Sequence, residues 1–232
     1  MEPETQEYVM NRENYSIREF NDILSQTFTR MFIGLLITAV TAYIVATTSL
    51  ISVVASAWPV LAIAEIVLVL VFSLGFRKLS PGAVTVMFYA YALLNGATLS
   101  VIFLVYQLGL IAKAFLITAL MFGILAYYGH TTEKDLSGLG TILSVALIAG
   151  IIATIVNLFL KSDMFSIALD WIMLFIFCGL TMYDMNKMKA MSYSLEGGAD
   201  ATKLYVYCAM QLYLDFINIF LRILSIMGRR KN

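Results

Sequence analysis

The sequence predicts an all-α integral membrane protein with seven transmembrane helices, and three observations lead there. Of 232 residues, 61% are hydrophobic and 13% charged, with a mean hydropathy of +0.87. A soluble domain runs at about 45–50% apolar and about 25% charged, so there are too few charges here for a solvated shell. No Asp, Glu, Lys or Arg occurs in residues 31–64, 79–112, 114–132 or 136–160, runs of 34, 34, 19 and 25 residues. A helix needs roughly 20 apolar residues to cross a bilayer. The runs are continuous rather than alternating, which disfavours a transmembrane barrel.

Residues 1–30 are polar and carry Glu2, Glu4, Glu7, Glu13, Glu19 and Asp22. They read as a polar N-terminal segment without the short apolar stretch and cleavage site of a secretory signal, so the first span is expected to be retained. Residues 31–228 then form the seven-helix domain, and 229–232 a basic tail. The first span runs from about Met31 to Leu50. A Ser/Thr-rich passage ending in Trp58-Pro59 divides the first long run, with Trp58 at the interface and Pro59 in the first turn of a second helix ending near Gly75. Ser80-Pro81-Gly82 repeats the pattern of cap followed by proline and opens the third span, about 83–106. The fourth covers about 110–128, followed by a polar loop Gly129–Ser137. The remaining spans cover about 140–160, 165–190 and 202–227. All three prolines are placed outside helix interiors, and the short loops leave no room for a second domain.

Fifteen basic residues balance fifteen acidic ones, so net charge makes no case for nucleic-acid binding. Cys178 and Cys208 lie in apolar surroundings at neither a metal nor a disulfide-framework spacing, and are expected to be packed. Lys and Arg counts near the spans set the expected orientation. Nine (Arg12, Arg18, Arg30, Arg77, Lys78, Lys134, Lys187, Lys189 and Lys203) fall on one side, and five (Lys113, Lys161, Arg229, Arg230 and Lys231) on the other. The N-terminus is therefore expected in the cytoplasm and the C-terminus outside, unless the last segment re-enters and returns the basic tail to the cytoplasm.

Ionisable side chains inside a membrane are expensive and face a partner or a water-filled cavity. Four need an account: Glu65, Asp184, Asp215 and Arg222. Gln211, Asp215, Asn218 and Arg222 follow spacings of 4, 3 and 4 and share one helical face. That face cannot meet lipid, so the last segment belongs inside the bundle. The midpoint between Asp184 and Asp215 lies next to Gly197-Gly198, the expected turn, so an antiparallel hairpin brings them to similar depth. Two unit charges about 4 Å apart repel by about 4 kcal/mol at an effective dielectric of 20. Such a pair shares one proton that is gained or lost around physiological pH. The alternative is two separate interhelical hydrogen bonds. Glu65 lies seven residues after Trp58, about 10 Å from the outer interface, and Arg222 six before Gly228, about 9 Å from the same side. An ion pair between them is expected, either closing the outer half of a polar pathway or simply holding helices together. Arg77 falls near the inner end, within reach of Asp184.

Other polar residues have plainer readings. His130 reads as solvated in a polar loop. Asp170 reads as an interfacial acid near a helix N-terminus. Asn95-Gly96 with Thr98 and Ser100 makes a small, polar face suited to close helix approach.

Three stretches resemble the Bax inhibitor family of transmembrane proteins, and its bacterial branch in their compact loops. They are Thr132-Glu133-Lys134-Asp135-Leu136-Ser137-Gly138-Leu139-Gly140, Tyr183-Asp184-Met185-Asn186, and Leu212-Tyr213-Leu214-Asp215-Phe216-Ile217-Asn218-Ile219-Phe220-Leu221. The resemblance implies a last helix at the centre, surrounded by the other six, and a pH-sensitive calcium leak in a bacterial cell membrane. It also implies that Asp184 and Asp215 act as proton sensor and pore element, with Arg77 as a basic latch. Where family members can carry a basic residue near the end of the last helix, this chain has Ser225. Calcium takes about six to eight oxygen ligands. Asp184, Asp215, Asn218 and Gln211 offer a sparse set, suited to a permeating ion that must leave again. No tightly bound cofactor and no enzymatic activity are expected. A non-transporting regulator that binds a membrane protease, or a stress or cell-death partner, is the alternative. An intramembrane aspartyl protease is disfavoured because the second acid stands in Tyr-Leu-Asp-Phe rather than Gly-x-Gly-Asp. A retinal protein is disfavoured because no lysine lies between Leu204 and Gly228.

Overall fold

The computed structural model describes residues 3–76, 78–192 and 199–229. Arg77, Gly197-Gly198, Arg230 and Lys231 lie outside the described residues. Seven helices are long and apolar enough to cross a membrane, and no strand occurs among the described residues.

The first helix, α1 (Pro3–Thr47), is continuous from the polar segment into the span Asn21–Thr47. Arg30 does not interrupt it. Its guanidinium donates to the Gln26 side chain (2.5 Å) and lies 5.4 Å from the centre of the Tyr205 ring. Thr47 and Thr48 bond back to the carbonyls of Tyr43 and Ile44, and the chain turns there.

Helix α2 (Leu50–Gly75) corrects one expectation, because Pro59 stands inside it rather than in its first turn. The passage taken for a connector is helical. Ser52 donates to the Ser49 carbonyl and Ser56 to that of Val53, both at 2.8 Å. Serines that satisfy themselves in this way can enter a membrane helix, where an internal proline is also tolerated.

Helix α3 (Pro81–Leu99) begins as expected, with the Ser80 hydroxyl accepting from the Ala83 N–H (3.3 Å) and Pro81 at the first position. It breaks at Ser100, and the short α4 (Ile102–Val105) completes the span. Helix α5 (Leu108–Thr131) runs further than expected, placing His130 in its last turn instead of a loop, with the His130 carbonyl accepting from Lys189. Before α6 (Ser137–Leu160), Asp135 accepts from the Ser137 N–H at 2.9 Å. The Ser137 hydroxyl and backbone N–H hold the Asp135 carboxyl below the usual carboxylate value. The chain continues as α7 (Asp163–Ser192) and α8 (Ala199–Arg229).

Helix α8 is the centre of the bundle and packs directly on α7, α1, α5 and α3. Of its most apolar 18-residue window, 67% is buried, against 6% for α2 and for α6. Those two complete the ring from outside, α2 leaning on α3 and α1, and α6 on α7. One core cluster gathers around Tyr213, which meets Phe88 and Tyr91 edge-on at 5.7 and 5.9 Å. A second surrounds Ile219 and Leu224 with Met173 and Phe177 of α7.

Small residues set the tightest seams, as the Asn95-Gly96 face suggested. A Cβ on Gly96 would stand 2.6 Å from the Thr38 carbonyl oxygen, whereas one on Gly123 would meet nothing within 4 Å. Gly96→Ala is therefore expected to separate α1 from α3 and destabilise the protein by about 1–3 kcal/mol. Gly123→Ala should be neutral or stabilising by up to about 1 kcal/mol. Thermal unfolding midpoints in detergent check the pair.

Candidate functional site

The polar face of α8 opens onto a cavity of about 660 Å³. All four expected residues, Gln211, Asp215, Asn218 and Arg222, line it. From Gln211 to Arg222 that face extends about 16 Å along the helix. Across the cavity stand Glu65 from α2, Tyr91 from α3, Ser144 and Thr154 from α6, and Tyr183, Asp184 and Lys187 from α7.

Asp184 and Asp215 come together across the α7–α8 seam, and the Asp184 carboxylate acts electrostatically on that of Asp215. Asp215 is only 4% exposed, and its Oδ2 accepts no hydrogen bond among the described residues. Thr181 flanks it. Cys178 and Cys208 are free thiols, Cys178 beside Asp215 and Cys208 beside Asp184. The basic group found beside Asp184 is Lys187, one turn along α7. Its ammonium lies 5.6 Å from the centres of both the Tyr183 and Tyr207 rings. Arg77, the expected latch, lies outside the described residues. Asp184, Lys187 and Gln211 also line a second, smaller cleft of about 10 Å³, room for about one water. The space beside Asp184 and Lys187 is thus narrow at this end.

The opposite end corrects a second expectation. Arg222 does not pair with Glu65; its Nη1 lies 3.0 Å from Oδ1 of Asp170. Asp170 is 4% exposed and collects three donors: Arg222, Arg229 at 3.0 Å and Ser225 at 2.6 Å. It is not a simple interfacial acid. Depth explains the change of partner. Because α2 begins at Leu50, Glu65 is fifteen residues in, about 22 Å from that end rather than about 10 Å. Asp170 lies seven residues after Asp163, and Arg222 seven before Arg229, so both stand about 10 Å from the same end.

Glu65 is held differently. Its Oε2 accepts from the Asn95 amide at 3.3 Å, and Asn95 Oδ1 accepts from the Tyr213 hydroxyl at 3.0 Å. Tyr213 shares a 2.6 Å hydrogen bond with Thr38, which also lies 2.9 Å from the Ala92 carbonyl. This chain of polar groups runs through α2, α3, α8 and α1. The second carboxylate oxygen of Glu65 is buried and unpartnered among the described residues.

Sequence reasoning missed the roles of Asp170, Lys187 and Tyr213. Two had local signals: Lys187 follows Asp184 by three residues, and Arg222, Ser225 and Arg229 recur at spacings of 3 and 4. Tyr213 had none, since its partners are 118 and 175 residues away.

The family of inhibitors of apoptosis-promoting Bax1 matches residues 20–232. The chain belongs to the Bax inhibitor family. Inner membrane protein YbhL of Escherichia coli strain K12 is 40% identical over 214 residues, covering 90% of this chain and 92% of that protein. An uncharacterized protein of Borreliella burgdorferi is 34% identical over 228 residues, covering 96% of this chain and 98% of its own. Uncharacterized membrane protein SpyM3_0260 of Streptococcus pyogenes serotype M3 is 40% identical over 168 residues, 72% of each chain. Like YbhL by its description, this Bax inhibitor family member is an integral membrane protein. Among its described residues no three His, Cys, Asp or Glu gather as a metal site, so the carboxylate pair is the densest acidic group the cavity offers.

Asp170→Ala is expected to leave Arg222 beside no counter-charge and to cost about 3 kcal/mol, as for a broken buried pair. Ser225→Ala, which removes one hydrogen bond to the same carboxylate, should cost about 1 kcal/mol. The unfolding midpoints of the two variants, compared with wild type, measure both.

Proposed function

We propose that this protein is a proton-gated cation leak pathway, with calcium as the leading ion. The supporting observation is the carboxylate pair, buried Asp215 and half-buried Asp184, on the wall of a polar-faced cavity, with one Asp215 oxygen left unpartnered among the described residues. Two ionised carboxylates side by side repel, and a cation or a shared proton relieves that repulsion. The pair is therefore at once the ion's way-station and the proton's binding site. Asp184 and Asp215 offer the negative charge, while Gln211 and Asn218 offer amide oxygens along the same face. The site is sparse, and a sparse site releases its ion, as permeation requires. Lys187 limits the field at the narrow end and competes with the ion for Asp184.

In this reading the protein sits in the bacterial cell membrane with its N-terminus in the cytoplasm. The narrow end, with Lys187, Lys134 and Arg30, then faces the cytoplasm, in line with the bias of basic residues. The Asp170 cluster closes the outer end by tying α7 to α8.

The test is calcium flux into dye-loaded liposomes containing the purified protein, across roughly pH 5 to 8. Wild-type flux is expected to change with pH by up to about tenfold per unit, the limit for one titrating proton. Asp184→Asn and Asp215→Asn should each flatten that dependence. Flux absent at every pH overturns the transport reading in favour of a regulator of a membrane protease or stress partner. Flux with an unaltered pH response in both variants removes the pair from the gate.

A further inference from the structure

A hydrated metal ion gives no reason for the apolar walls of the cavity or for where it opens. The walls are Ile66, Val69 and Leu70 of α2 and Leu147, Ile151 and Ile155 of α6. These two helices do not form a packed seam with one another: α2 rests on α3 and α1, and α6 rests on α7. Ile66, Leu70, Ile151 and Ile155 are 61%, 53%, 48% and 50% exposed, so they form the rim of a sideways opening. That rim lies near mid-helix, sixteen residues into α2 and fourteen into α6 by Ile66 and Ile151. At about 1.5 Å per residue it faces the hydrocarbon, so the solute that reaches it is one dissolved in the membrane.

The polar groups behind the rim select the charge of that solute. Glu65 lines the cavity as a carboxylate held by Asn95 and flanked by Thr98, and Tyr91, which lines the same cavity, interacts with it electrostatically. Asp215, 4% exposed, also lines this space and has one oxygen without a partner among the described residues. The two cations on the wall are already engaged, Arg222 by Asp170 and Lys187 by Asp184, Tyr183 and Tyr207. Lining carboxylates, a neighbouring aromatic ring and apolar walls fit one chemistry: an ammonium head on a single hydrocarbon chain. The volume of about 660 Å³ suits a small amphiphile, within the roughly 300–1,000 Å³ of ligand pockets. A phospholipid would carry its phosphate into an acidic, mid-membrane site, where the charge is disfavoured.

We infer that the α2–α6 opening admits single-chain amphiphilic amines from the bilayer, with the ammonium on Glu65 beside Tyr91 and the chain along the α2 and α6 walls. Such a ligand would share the cavity with any permeating ion.

The experiment measures binding of radiolabelled dodecylammonium to the full-length protein in zwitterionic nanodiscs, with empty nanodiscs as background. Saturable binding is expected, displaced by unlabelled dodecylammonium but not by dodecanol or dodecyl sulfate. Glu65→Gln should weaken it by about tenfold or more, since the charged partner is lost. Ile151→Trp, on the half-exposed rim, should block the entrance without touching the carboxylates, and it covers the case in which Glu65→Gln folds poorly. Binding no greater than to empty nanodiscs overturns the inference. So does binding that survives both substitutions, or that dodecanol displaces equally well. The readout is binding and not flux, so its failure leaves the leak reading standing, and the reverse also holds.

Discussion

A helix with Gln211, Asp215, Asn218 and Arg222 on one face cannot turn that face to hydrocarbon, and the rest of the molecule is arranged around that constraint. It places α8 in the middle, with four helices packed directly on it. The polar face is not closed off by packing. It looks into a cavity whose far walls, α2 and α6, are the two most lipid-exposed helices of the bundle. A face of this kind, buried from lipid but open to a cavity, distinguishes a working polar stripe from one that only ties helices together.

Each polar group on that face is handled by its depth. Near the Arg229 end, one carboxylate, Asp170, accepts from Arg222, Ser225 and Arg229, and about two turns of α8 are locked to α7. At mid-depth, Glu65 is positioned through Asn95, Tyr213 and Thr38, so four helices meet around one chain of hydrogen bonds. Toward the narrow end, Asp184 and Asp215 face each other with fewer protein partners. Of these groups Asp170 is the most fully satisfied, whereas Glu65 and Asp215 each keep one carboxylate oxygen without a hydrogen-bond partner among the described residues.

What could be read in the sequence follows the range of the signal. The seven spans come from local composition, and the shared face of Gln211, Asp215, Asn218 and Arg222 comes from helical period; both are visible without tertiary knowledge. Ser80-Pro81 gave the start of α3 for the same reason, since a cap and a first-turn proline act within one turn. The start of α2 was not legible, because Ser52, Ser56 and Pro59 suit a connector in water and a helix in lipid alike. That ambiguity displaced Glu65 by about 12 Å and gave it Arg222 as partner. Asp170 was hidden for a different reason. A carboxylate near a helix start looks interfacial until a neighbouring helix supplies two guanidiniums. Tyr213 sits within the most recognisable stretch of the chain, yet its hydrogen bonds depend on residues from α1 and α3.

The central claim is that Asp184 and Asp215 share one proton within the bundle. Infrared titration of the carboxyl C=O band in the reconstituted protein, across roughly pH 5 to 8, tests it most directly. The account predicts a single protonated-carboxyl band that changes by one residue's intensity over this range and is lost in Asp215→Asn. A wild-type spectrum with no such band at any of these pH values, both carboxylates remaining ionised, would contradict it.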